Sequence, residues 1–277
     1  LDYYLPSTLN EKDTVTLEII GSNGQVIRLY TNIKDDNYKK YPGGPSPETL
    51  LSAKKGHNRF LWNFRTHSES PDVNGVFVLG SYAGYAVAPG SYQARLVLHP
   101  NKTDSLKVQT SSTAITVLPN PFIKANKEDW ELQQSTLATI SKSITDIHTT
   151  VNNLRKVKKQ LQYYSETLAS IPDAKSLKEE AASIITKIDT WEANIVESRT
   201  QNGQDVINWP SKLNVEFFYI KGLVDVSDPV ITNGVKNKLV DLQASWDKEK
   251  LKLEAIYEAT KLFNNQFKNA NIAALQL

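Results

Sequence analysis

Four histidines, a scatter of loop carboxylates, four loop tyrosines and one amide-rich segment are the side chains here that could do chemistry. None of His57, His67, His99 and His148 is paired with a second histidine or an acid at metal-ligand spacing, so each reads as structural or superficial. Zero cysteines exclude thiolate catalysis, disulfides and thiolate-bound zinc. No Gly-x-Ser-x-Gly elbow is present, nor a Gly-x-Gly-x-x-Gly or Gly-Lys-Ser/Thr phosphate loop. Asp72-Val73-Asn74-Gly75 resembles the first half of a calcium loop but lacks the remaining oxygen ligands, and a plain turn accounts for it better. Asp35, Asp36, Glu48, Glu69 and Asp72 could in principle supply a glycosidase acid pair. Such a pair must face itself across a cleft at a set separation, and solvated loop carboxylates explain these residues more simply. No catalytic residue, cofactor or metal is expected.

Two groups are better placed to bind than to react. Tyr38 and Tyr41 lie in one long loop, Tyr82 and Tyr85 in another, and loop aromatics can form a stacking platform for a sugar or a peptide. The competing expectation, which weighs more, is that they fold back onto the core. Gln204, Asp205, Asn208 and Pro210 stand in an amide-rich stretch between helices. They either gather a ligand or cap helix ends and satisfy orphan backbone groups; capping is the stronger reading.

The elements that must position these residues divide the chain in two. Nine of twelve prolines and nine of twelve glycines fall at or before Pro121. Dense turn punctuation suits strands and loops, and its near absence suits long helices. The expected class is α+β: an immunoglobulin- or fibronectin-like β-sandwich over 1–121, then a long antiparallel helical bundle over 122–277, hinged at Leu118-Pro119-Asn120-Pro121. Alternating runs beginning at Leu1, Thr14, Gln25, Gly56, Gly90 and Thr113 predict strands. On the fourth, Phe60, Trp62 and Phe64 share a face. Long insertions occupy 34–55 and 66–88. A heptad seam of Leu137, Ile140, Ile144, Ile147, Val151, Leu154, Leu161 and Leu168 predicts a helix over 127–170, capped by Asn126 with Asp129 and ended by Pro172. A second helix starts at Asp173 or Ser176 and stops at Asn202-Gly203. A short one runs from Pro210 to Val224, and a last long one follows Asp228-Pro229.

Across 277 residues the net charge is +2 and 40 % are hydrophobic. That excludes disorder, gives no electrostatic footprint for nucleic acid, and leaves no apolar run of about 18 residues to span a membrane. The chain does not open on Met and reads as a piece of a longer protein.

Gly56-His57-Asn58-Arg59-Phe60-Leu61-Trp62-Asn63-Phe64-Arg65 and Ala88-Pro89-Gly90-Ser91-Tyr92-Gln93-Ala94-Arg95-Leu96 resemble a pattern found after the β-propeller of bacterial sortilin-like, BNR-repeat proteins, often labelled glycosyl hydrolases. Asn63 stands where that pattern has Asp. Val151-Asn152-Asn153-Leu154-Arg155 is similar to the family's first-helix motif, and Gly203-Gln204-Asp205-Val206-Ile207-Asn208-Trp209-Pro210 to its inter-helix motif. The resemblance implies a non-catalytic C-terminal structural and interaction module whose partner is the propeller of the same polypeptide. It also implies export, to the outside or to the cell envelope or periplasm. The alternatives are a carbohydrate-binding accessory domain, and part of a glycoside hydrolase whose active site lies in the propeller. A carbohydrate or protein ligand fits these readings; nucleic acid and a membrane span do not.

Overall fold

Among the described residues, alternating β-branched residues separated by turn glycines give six strands in two antiparallel sheets. The computed structural model describes residues 1–10, 13–68, 70–100, 108–168 and 174–270. β1 (Asp2–Leu5) pairs with β4 (Gly56–Arg59). The second sheet has the order β3-β2-β5-β6, from β2 (Thr14–Ile20), β3 (Val26–Thr31), β5 (Gly90–His99) and β6 (Gln109–Val117). Val15, Leu17 and Ile19 on β2, Tyr30 on β3 and Ala94 on β5 share one apolar cluster with Phe60 and Trp62, and Tyr3 of the other sheet packs against it. Asn58 is buried in β4 because its amide has partners: it donates to the carbonyls of Lys54 and Gly56 at 2.8 and 3.0 Å, and the Ser52 hydroxyl donates to its Oδ1 at 2.6 Å.

The predicted aromatic strand is shorter than its alternation suggests. It ends at Arg59, and Phe64 takes a positive φ of 58° and stands 52 % exposed. That left-handed turn lets the chain reverse and bridge Arg65 to Ala86. Phe60 and Trp62 therefore enter the core and Phe64 does not.

Four α-helices follow among the described residues. The first, α1 (Lys127–Leu168), has 42 residues and spans about 63 Å. Asn126 and Asp129 close a reciprocal capping box at 2.8 and 3.0 Å, and all eight seam residues are buried. The expected stops at Ser170 and Pro172, and the start at Asp173, lie outside the described residues. The second helix, α2 (Lys175–Ile195), begins before Ser176 and ends well short of Asn202, with Val196 in extended geometry as its C-cap. α3 (Leu213–Val224) starts three residues after Pro210, on Lys212 as N-cap. α4 (Asn233–Asn269) is capped by Thr232, whose hydroxyl accepts from the Val235 amide.

Side-chain pairs set the helix directions. Arg155 meets Glu192 and Lys158 meets Asp189, so α2 runs opposite to α1. Asn214 lies beside His148, and Gln133 donates to the Val224 carbonyl, so α3 also opposes α1. Gln243 donates to Ser143 and Phe267 packs on Tyr164, so α4 runs alongside α1 in the same direction. Three columns result, the middle one broken into α2 and α3. Among the described residues, no helix is long and apolar enough to cross a membrane.

The long segment 66–88 belongs to the helical core more than to the sheets. Val73, Val76, Val78 and Tyr82 are buried among α1, α2 and α3. Asn152 donates to the Asp72 carbonyl at 2.7 Å, Arg155 to Asn74 at 2.8 Å, Lys221 to Ala83 at 2.6 Å, and Gln134 to Ala86 at 3.1 Å. Asp225 at the end of α3 receives the Ala86 amide at 2.9 Å and the Arg65 guanidinium at 2.6 Å.

Replacing Asp225 tests this tie. Asp225→Ala strands Arg65 and the Ala86 amide. The expected loss is about 2–3 kcal/mol, under the ~3–5 kcal/mol of a fully buried pair because the Arg65 side chain is 33 % exposed. Urea unfolding checks it; a change under ~0.5 kcal/mol would show that the contact does not hold the two parts together.

Candidate functional site

The edge strand β3 and the helices enclose a cleft of about 710 Å³. Its first wall is the whole of β3 with Glu48–Leu50; the opposite wall is Ala138 and Ser141 of α1, Tyr85 and Lys221 of α3. A smaller lobe of about 290 Å³ continues past Arg65 and the turn at 80–84, and the two share Arg28, Glu48 and Thr66. The cleft exists because loop segments cover the β3 edge only at its ends. The His67 amide donates to the Ile27 carbonyl at 2.8 Å, and the Leu51 amide to Thr31 at 3.0 Å, leaving the edge at Leu29 between them.

Arg28 is the centre of the polar lining. Its side chain is mostly covered, at 11 % exposed, lies 4.6 Å above the Tyr30 ring, pairs through Nη2 with Glu48 at 2.5 Å, and approaches His67 Nδ1 at 3.2 Å. Arg28 Nε and Thr66 Oγ1 are buried without a hydrogen-bond partner in the chain, which is unusual for polar atoms out of water. Lys221 also lines the cleft, and burial lowers its ammonium pKa to about 8, with Asp225 opposing the shift. Its protons go to the Ser81 and Ala83 carbonyls at 3.2 and 2.6 Å, so it holds the turn 80–84 rather than standing ready as an amine nucleophile. This arrangement can bind a polar molecule.

The four tyrosines do not assemble on one exposed surface. The Tyr38 hydroxyl donates to the Pro45 carbonyl at 3.0 Å. Tyr41 donates to Asp72 Oδ2 at 2.9 Å, and burial pushes its phenol pKa up. Tyr82 is buried edge-on against Phe218 and close to His148. Tyr85 lines the larger lobe of the cleft, half-buried against the helical core, and Tyr82 borders the smaller lobe.

Among the acids, Glu48 binds Arg28, Asp72 accepts from Tyr41, and Asp35 accepts the Asn37 amide. Glu69 lies outside the described residues. In the calcium-loop lookalike, Val73 is buried and the Asp72 and Asn74 carbonyls are taken by Asn152 and Arg155. Among the described residues, no three His, Asp or Glu side chains gather around one point.

The amide-rich stretch forms a single 3₁₀ turn, Gly203–Ile207. Asp205 accepts the amides of Gln201 and Asn202 at 2.8 and 3.1 Å, and Asn202 accepts that of Gln204 at 2.9 Å. Asn208 is the C-cap of that turn, and Gln204 and Pro210 are exposed. Beside it, Arg199 lies 3.8 Å above the Trp209 ring and holds the Glu197 carboxyl down to about 2.

Sequence reading missed Arg28, Thr66 and Lys221. Lys221 carried a signal: it is a lone cation directly after the apolar run Phe217-Phe218-Tyr219-Ile220 of the third helix. Arg28 carried none, since an alternating strand accepts an arginine on a solvated face without comment. No family model, curated protein or solved structure matches the chain.

His148 makes a testable pH dependence. Its Nδ1 lies 2.8 Å from the Pro71 carbonyl, so that nitrogen carries the proton, and Nε2 can accept from the Asn214 amide at 3.4 Å. Burial lowers its pKa from 6.5 to about 4. The unfolded chain takes up the proton first, so the stabilisation is complete above about pH 6.5 and is lost as pH falls toward 4. The loss approaches ~3 kcal/mol. In His148→Gln, the drop in denaturation midpoint between pH 7 and pH 4.5 is expected to shrink; an unchanged drop would clear His148 of responsibility.

Proposed function

We propose that this chain is a non-catalytic structural and interaction module, a β-sandwich over 1–121 joined to an antiparallel helical bundle over 122–277. In this reading it follows the β-propeller of a larger BNR-repeat protein that is secreted or held in the cell envelope or periplasm. The observation that carries it is the work done by the residues on which the family resemblance rests. Asn58, Phe60 and Trp62 build the sheet core, and Arg65 reaches Asp225. Tyr92 packs edge-on to Trp62 and donates to the Ala88 carbonyl. Asn152 and Arg155 hold the segment 66–88, and Asp205 caps a turn. Each has a folding task, and none is left aimed at a substrate.

Two measurements test the reading. A panel of chromogenic glycosides incubated with the chain is expected to give no turnover above buffer. The propeller portion of the same polypeptide, expressed separately, is expected to bind the chain with a Kd in the micromolar range or tighter. Turnover, or no association with the propeller, overturns it. If the parent hydrolyses glycosides, that chemistry belongs to the propeller.

The cleft favours a second reading, a carbohydrate-binding accessory domain. An arginine–carboxylate pair beside a tyrosine can hydrogen-bond vicinal hydroxyls while the ring faces the sugar. Saturable binding on a glycan array that disappears in Arg28→Ala and survives in Tyr38→Ala would place the ligand in the cleft. A silent array retires this reading and leaves the first untouched.

A further inference from the structure

The four-stranded sheet has two edges, and the chain treats them differently. The β3 edge is partly covered by the backbone of residues 51 and 67 and faces the cleft. Along β6, among the described residues, only β5 forms backbone hydrogen bonds with the strand. β6 is nine residues long and reads Gln-Thr-Ser-Ser-Thr-Ala-Ile-Thr-Val. It carries no charge, no proline and no bulge in its pairing with β5. Those are the devices by which sheet edges repel one another, and β6 has none of them.

We propose that β6 pairs with β6 of a second copy of this chain, antiparallel, about a twofold axis at Thr113. The register follows from the ladder. The Asn32 amide donates to the Val15 carbonyl, so Val15, Leu17 and Ile19 direct their backbone groups toward β3, and Thr16, Glu18 and Ile20 toward β5. Carrying that alternation across β5 turns Gln109, Ser111, Thr113 and Ile115 toward β5. The backbone groups of Thr110, Ser112, Ala114 and Thr116 therefore point out of the sheet. An antiparallel copy centred on Thr113 sets Thr110 opposite Thr116 of the second copy, and Ser112 opposite its Ala114. All of these outward amides and carbonyls then have partners.

The same axis does a second thing that the amides alone do not require. Val108 and Leu118 flank the strand and are 59 % and 77 % exposed. With Thr113 on the dyad, Val108 of each copy faces Leu118 of the other, so two exposed apolar pairs are covered at once. Charge favours the same occupant: a neutral strand meets itself without like-charge repulsion, and Ser/Thr cross-strand pairs are favourable. A partner strand studded with charge would gain nothing from this edge.

The chain has no cysteine, so a single engineered thiol reports the register. Thr113 faces itself across a non-hydrogen-bonded site, where Cα atoms lie about 4.5 Å apart, within disulfide range. Thr113→Cys is expected to form a covalent dimer under mild oxidation. Thr110→Cys, about 20 Å from its own copy in this register, is expected to stay monomeric. The unmodified chain should sediment as a dimer at about 100 µM. Ala114→Pro removes one outward amide without touching the bonds to β5, and should sediment as a monomer with an unchanged far-ultraviolet spectrum. If that variant misfolds, Ala114→Lys makes the same test by charge. A monomeric parent chain, no cross-link at position 113, or equal cross-linking at position 110 overturns the proposal.

Discussion

An irregular backbone buried between two layers must find a partner for every amide and carbonyl it brings out of water, and the segment 66–88 is the place where this protein meets that demand. The segment carries Val73, Val76, Val78 and Tyr82 into the helical core, which takes its neighbouring peptide groups out of water as well. Regular secondary structure would satisfy them internally; here side chains join a few backbone bonds, such as Val76 to Val73 and Val78 to Gly43, in doing so. Asn152, Arg155, Gln134 and Lys221 donate from the helices, and Asp225 accepts. Each of these side chains costs conformational entropy to fix, and each would be expensive to leave unpaired once buried. The arrangement is therefore cooperative: losing one partner leaves a carbonyl dry without releasing the apolar anchors beside it.

That constraint explains the protonation states around it. His148 has a carbonyl on one ring nitrogen and an amide near the other, a set that suits the neutral ring and not the imidazolium. Lys221 faces two carbonyls, which suit the ammonium, yet burial works against its charge. The two shifts go in the same direction for the same reason, desolvation of a cation. Only the lysine has acceptors enough, with Asp225 nearby, to keep its proton at neutral pH. The cleft beside them is a consequence of the same packing. The turn 80–84 is held by Lys221, and Thr66 crosses close beneath Gly84, where a Cβ would collide with the Thr66 carbonyl oxygen. The walls of the cleft are thus fixed by the Lys221 side chain and by this close backbone approach together.

What could be read from the sequence follows from the range of each signal. The α1 seam was fully legible, because eight apolar residues at heptad spacing admit one buried face, and Asn126 with Asp129 is a local chemical device. The C-terminal end of α2 and the start of α3 differ from the expectation, while Val224 ends α3 as expected. Asn202 looks like a helix stop from its neighbours, but α2 ends earlier, where Val196 turns extended, and Asn202 caps a separate 3₁₀ turn. Phe64 was misread because alternation carries no information about a left-handed residue. The largest omission was 66–88. Its four core residues have no period, since a segment without regular structure presents side chains at irregular intervals. Nothing short of the packed helices says that Val76 is buried while Phe64 is not. The cleft was invisible for the same reason: Arg28, Thr66 and Lys221 are far apart in the chain and meet only because that segment is anchored.

The spaced residues that suggest a family also acquire a physical meaning here. A pattern such as Gly-x-Asn-Arg-Phe-x-Trp invites a catalytic interpretation because it mixes polar and aromatic residues at short range. In this fold the mixture has another cause. Gly56 takes a positive φ of 95°, as a residue without a Cβ readily can. Asn58 then ties down the loop carbonyls at Lys54 and Gly56 that this turn leaves inside. Phe60 and Trp62 bury themselves above it, and the Trp62 indole donates to the Arg65 carbonyl at 3.1 Å. The polar members exist to make burial of the aromatic ones tolerable. A motif built that way serves the fold, so its mixture of polar and aromatic residues is no argument for a reaction at these positions.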